Sequence, residues 1–186
     1  THKASKTYRD SVDLENNKLK IGNLLTGYSY EQSFENKRIS ISSPLSGINR
    51  NTIQGYNSNL KLNYSKRYDE YKKYLSVDGF INYSFDTEKL RGGLGARYKF
   101  NNNDDLTVGL FAGINVKQFN PQEPISNVVN SISTFFFENN YMKLYESRFL
   151  RARYSQELFN GFTINSTLSF EDRRALFNTS EYTAVE

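Results

Sequence analysis

The chain lacks cysteine and tryptophan altogether, and holds one histidine and three prolines among 186 residues. Without cysteine there is no disulfide, no thiol nucleophile and no thiolate-bound metal. The one histidine, His2, stands in a polar leader, so neither a histidine-based triad nor a histidine metal site is expected. No apolar run approaches the roughly 18 residues of a membrane-spanning helix. That says nothing about membrane strands, in which only alternate residues meet lipid. A concentrated basic patch is missing too: 24 Lys and Arg against 20 Asp and Glu give a formal charge of +4, spread along the chain. Nucleic acid is therefore not an expected partner.

What is present is aromatic and polar. Tyr and Phe number 14 each, while mean hydropathy is −0.69. So many aromatics argue against disorder and suit half-buried strands. Residues 1–21 are polar and weakly patterned and read as a linker or leader, or a short helix outside the main domain. From Gly22 strand signals begin, first in GYSYEQSF and NKRISISSP. Alternation with period two then becomes sustained. Leu75, Val77, Gly79, Ile81, Tyr83 and Phe85 oppose Ser76, Asp78, Asn82 and Ser84. The same two-faced pattern marks Thr52–Ser65, Leu90–Phe100 and Leu106–Val116, and later 150–158 and 162–171, as half-exposed strands. Phe159-Asn160-Gly161 fits a three-residue hairpin loop with Gly at the left-handed position. That register sets Leu158 opposite Phe162 and Arg153 opposite Thr167.

Two environments explain such alternation. A soluble lipocalin-like barrel would turn the apolar face inward around a small apolar ligand. A membrane barrel would turn it outward. The strands are about 9–11 residues long, as a tilted transmembrane strand requires. Aromatics gather at the ends of the apolar faces, as in interfacial girdles. The residues therefore favour an all-β fold: an antiparallel up-and-down (meander) transmembrane β-barrel, or part of one, of about eight strands.

On the polar face stand Asp78, Arg91, Arg97, Lys99, Arg151, Arg153, Glu157 and Glu171. An ion-pair ladder is the expected arrangement, with Asp78 opposite Arg97 or Lys99. An anion path or a ligand site is the alternative. Gly92-Gly93-Leu94-Gly95 lies inside a strand pattern and no Gly-Lys-Ser/Thr follows, so it is not a phosphate loop. Inward glycines are expected to make room for arginines or for a loop folded inward. Asp104-Asp105 and Glu171-Asp172 read as solvated turns. No catalytic residue, metal or cofactor is expected.

One stretch, NVVNSISTFFFENNYMKLYE, breaks the alternation. Ile125, Val128, Val129, Ile132, Phe135 and Phe136 follow the spacing of one helix face. Pro121 and Pro124 precede it, Ser126 is placed as N-cap, and Asn139-Asn140 marks a stop. The helix falls in the longest connection, where its apolar face either packs on the barrel or forms a partner patch.

The runs NYMKLYE, YSQELFNG, EDRRALFNTSEY, SSPLSGINRNTIQGYN and YLSVDGFINYSF resemble an outer-membrane barrel family of Gram-negative bacteria. Its members are usually named carboxypeptidase-regulatory-like-domain-containing proteins. The resemblance covers residues 22–186. It implies an outer-membrane location and brings no established activity; taken with the outward apolar face, the expectation is a structural or transport-related, non-enzymatic barrel with outer-membrane lipid and other envelope proteins as partners. The last residues read as the start of another loop, so a segment of a larger barrel is expected. No peptidase chemistry accompanies it, since no zinc ligand set is present.

Overall fold

The computed structural model describes residues 6–51, 53–68, 72–101, 103–120, 125–137 and 143–176. Helices α1 (Lys6–Asn16) and α2 (Asn23–Thr26) come first. They are followed by β1 (Tyr28–Gln32), β2 (Lys37–Ile41), β3 (Ile48–Asn51), β4 (Gly55–Tyr68), β5 (Lys73–Ser84), β6 (Lys89–Lys99) and β7 (Thr107–Gln118). Helix α3 (Asn127–Phe137), β8 (Leu144–Phe159) and β9 (Phe162–Ala175) complete the order. The nine strands make one antiparallel meander, β1-β2-β4-β5-β6-β7-β8-β9, with the short β3 paired onto the start of β4. Among the described residues the sheet does not close: β1 and β9 are its two edges.

Because side chains alternate along a strand, register sorts the sheet into two faces. One row across it runs Leu62, Gly79, Leu94, Ala112, Leu150 and Phe170. The adjacent row, on the other face, runs Asn63, Asp78, Gly95, Phe111, Arg151 and Ser169. The distribution of exposure inverts that of a soluble protein. Leu94 is 67%, Leu168 78% and Phe170 70% exposed, whereas Ser84 and Ser147 are wholly buried. Asn57, Ser76, Asn82 and Arg91 are buried on the polar face as well. Among the described residues the buried hydrophobics are Ile53, Leu144 and Tyr145. Ile53 and Leu144 pack with Val116, Ile125 and Leu176.

The connections after β1, β4, β6 and β8 emerge at one end and are short. The opposite end carries the tight β5–β6 turn and the two longest connections, which hold β3 and α3. In the β8–β9 hairpin Arg153 does face Thr167, but Phe159, not Leu158, faces Phe162. A register shift between Glu157 and Phe159 absorbs the extra residue. Asn160 and Gly161 (φ 84°) then make the turn, and the rings of Phe159 and Phe162 stack 4.8 Å apart.

Helix α1 is bonded to β1 and the turn after it. The Asp13 carboxylate accepts hydrogen bonds from the Ser33 N–H and hydroxyl, both at 2.6 Å. The Asn17 amide donates to the Glu31 carbonyl (2.7 Å) and accepts from its N–H (2.8 Å). A side chain thereby takes a strand's place on the β1 edge.

Candidate functional site

The polar face has two halves. At the long-connection end it is a satisfied network. Asn51 Oδ1 accepts from the N–H groups of Ile53 and Gln54 and folds the β3–β4 loop tightly. Gln54 Nε2 then donates to Asn82 Oδ1 (2.8 Å) and Ser84 Oγ (3.0 Å). Asn82 Nδ2 donates to Asn59 Oδ1 at 2.8 Å. The β6–β7 ladder ends at Gly93 and Gly113. Beyond it, Arg91 of β6 reaches Glu146 of β8, with Nε 2.9 Å from the carboxylate and a second guanidinium nitrogen on Ser84. The Arg91 side chain is 4% exposed, so the pair is held in a water-poor setting where both charges need their partners. Nearby, Glu171 accepts from Lys117 (3.0 Å), Arg173 (2.8 Å), Tyr145 (3.3 Å) and the Ser147 hydroxyl.

Toward the short turns the expected ladder fails. Asp78 stands opposite Gly95 and Asn63, not Arg97 or Lys99, and takes its hydrogen bonds from Asn63 (2.6 Å) and Ser76 (3.1 Å). Lys99 turns instead to Asp105 of the adjoining turn, at 2.6 Å. Glu157 accepts the Gly161 N–H at 2.8 Å and so holds the hairpin. Arg97 faces Ser76 and Gly109, Arg151 faces Phe111 and Ser169, and Arg153 faces Gly109 and Thr167. No carboxylate is in register with any of the three. Among the described residues none of their side chains makes an ion pair or a hydrogen bond; Arg153 lies 5.6 Å over the Phe111 ring.

The inward glycines are filled by rings, not by arginines. A Cβ on Gly95 would stand 2.0 Å from the Phe111 ring, and one on Gly93 2.4 Å from the Phe80 ring. Both phenyls therefore lie flat on bare backbone. With Phe149 they line a cavity of about 600 Å³ on the polar face. Of the paired carboxylates, Asp105, Glu171 and Asp172 are engaged by Lys99, by Lys117 and Arg173, and by Arg174.

Helix α3 has the proposed apolar stripe, and its direction is now visible. Its polar side meets the protein: Asn130 is fully buried, and the Ser131 hydroxyl both accepts from the Arg50 N–H (2.9 Å) and donates to the Arg50 carbonyl (3.0 Å) on β3. Val128, Val129, Ile132 and Phe136 point outward, 49–62% exposed. Ile125, before the helix, packs near Ile53 and Leu144. The side chain of Phe135 lies outside the described residues, as do Pro121, Pro124 and Asn139-Asn140. Ser126 precedes the first helical residue, where an N-cap stands.

Sequence reasoning missed Gln54, Glu146, Lys117 and the three phenylalanines. Phe80, Phe111 and Phe149 sit at polar positions of the alternation, and that mismatch opposite glycines was their one available signal. Glu146 had none, because its partner is two strands away.

Fold and face polarity define an all-β meander domain whose buried strand residues are mostly polar and whose large apolar side chains are exposed on the other side. The chain belongs to the family of unknown function DUF5686, whose C-terminal domain matches residues 22–186. Comparison with curated proteins and with solved structures gives no match.

Proposed function

We propose that this domain is a wall of an outer-membrane β-barrel, non-enzymatic and structural or transport-related, with the apolar face against lipid and the polar face lining a wet interior. The observation that carries this is the uncharged outward band. On β9 it runs from Phe162 to Phe170, about 26 Å along the strand at the usual rise, close to the height of a lipid-facing band. Charge returns on that side only past the band, at Asp172 opposite Arg148. Aromatic pairs mark both rims. Tyr83 meets Phe85 at 5.0 Å at one end, and Tyr98 meets Phe100 at 4.8 Å at the other. An aqueous protein would bury these groups, since each large apolar side chain removed from water contributes about 1.5–3 kcal/mol.

Within lipid, unpaired strand edges are untenable, because each unsatisfied backbone group costs several kcal/mol. The open edges of β1 and β9 are therefore paired, in the membrane, by further strands of a closed barrel. The lipocalin-like alternative requires Leu94, Leu110 and Ile164 inside; their outward exposure argues against it. The test is the full-length protein. It should extract only with detergent and migrate faster on gels unheated than heated. Clean solubility without detergent would refute the reading.

A further inference from the structure

We infer that Arg97 and Arg153, with Arg151 beside them, form an oxyanion site on the polar face that takes phosphate and phosphate-bearing solutes. This rests on that face being a wet interior, as proposed above.

The two arginines flank Gly109 on neighbouring strands, so their Cα atoms are two interstrand spacings apart, about 9.6 Å. Gly109 has no side chain of its own between them, and the edge of the Phe111 ring occupies that space, 3.2 Å from where a Cβ would stand. A cavity of about 330 Å³ opens there, lined by Arg97, Gly109, Phe111, Arg153 and the Thr167 hydroxyl. Arg151, two residues along β8 on the same face, adds a third positive charge beside it.

Like charges without an intervening acid weaken a sheet. Four other cations of this face, Arg91, Lys99, Lys117 and Arg173, each have a carboxylate; Lys61 stands opposite Phe80 and Arg38 bonds the Ser29 hydroxyl, and neither faces a second arginine across a glycine. At Arg97 and Arg153 two such cations stand either side of one strand, and what would relieve their repulsion is a bound anion. The forked guanidinium donors suit a phosphoryl group's oxygens, and one ring face of Phe111 holds Arg153 while leaving its N–H edge free. Phe111 is itself fixed by lying on Gly95.

The experiment is a titration of the full-length protein with inorganic phosphate, followed by calorimetry and by ³¹P line width. Wild type should bind. Arg97→Gln with Arg153→Gln should weaken binding about tenfold or more, the worth of one charge-assisted hydrogen bond. Lys99→Gln, whose charge is spent on Asp105, should leave it unchanged. Heat-dependent gel migration of each variant checks that the fold persists. A soluble short-chain phosphatidate run in parallel separates sources. Equal affinity marks a free-solute site and tighter binding a headgroup site, and both support the assignment. No binding by wild type, or equal binding by the double variant, overturns it. A protein that needs detergent yet ignores phosphate loses only this site; one that binds phosphate without needing detergent loses only the membrane reading.

Discussion

The two halves of the polar face use the same residue types to opposite ends. At the long-connection end Arg91 is buried, fixed by Glu146 and Ser84 and surrounded by a closed amide network. A few residues along, Arg97 and Arg153 look at each other across a glycine with no acid between them. The first arrangement holds structure. The second costs structure, and is intelligible as a place kept for something else. The difference teaches that charge on an inward face is read from its partners, not from its presence in the strand pattern.

The largest effect should come from breaking the paired half. Glu146→Leu leaves Arg91 buried beside no carboxylate, a loss of about 3–5 kcal/mol in unfolding free energy by denaturant titration. Adding Arg91→Met should recover most of it, because removing both charges is far cheaper than removing one. If Glu146→Leu alone were silent, the pair would not hold the sheet.

Next comes the other side of the same strands. Leu94→Arg should cost about 2–4 kcal/mol if that position meets the middle of a bilayer. An exposed position in water would change by about 0.5 kcal/mol at most. The same denaturant series discriminates the two.

Smaller still, Arg97→Gln should shift stability by about 0.5 kcal/mol or less, and toward greater stability, since it removes repulsion and no side-chain bond. A clear loss of stability in that variant would erase the contrast between the halves.

The smallest effect lies in the turn after β6. A hydrogen bond from Gln156, 2.8 Å away, holds the Asp104 carboxyl below its ordinary value of 3.8. A lowered folded value means stabilisation fully present above that ordinary value and lost as pH falls through the lower one. Gln156→Ala should raise the Asp104 titration midpoint followed by carboxyl ¹³C shifts, with no change above neutral pH.

The long strands were legible because alternation over ten residues has few other causes: β5, β6 and β7 fall within two residues of the boundaries that the pattern marks. Strand β3 was not, because INRN is short and polar and owes its place to pairing with β4 and to Ser131. Helix α3 was legible as a helix, but not which side it buries. The hydrogen bonds that settle this run to the backbone of β3, which carries no side-chain signature. The ion-pair ladder was misjudged for a related reason. Which residues face one another depends on hairpin register, and moving a strand pair by two residues keeps both faces while replacing every partner.

The central claim is that the apolar face meets lipid while the polar face meets water. These 186 residues hold no cysteine, so each label site within them is the introduced one. Spin or fluorescent labels at Leu94→Cys, Leu110→Cys and Leu168→Cys, set against Arg97→Cys, Phe111→Cys and Ser169→Cys, test it in the full-length protein in bilayers. The first three should respond to lipid-borne quenchers and the second three to water-borne ones, alternating between neighbours such as 168 and 169. The reverse pattern, or water access at all six, would contradict the account.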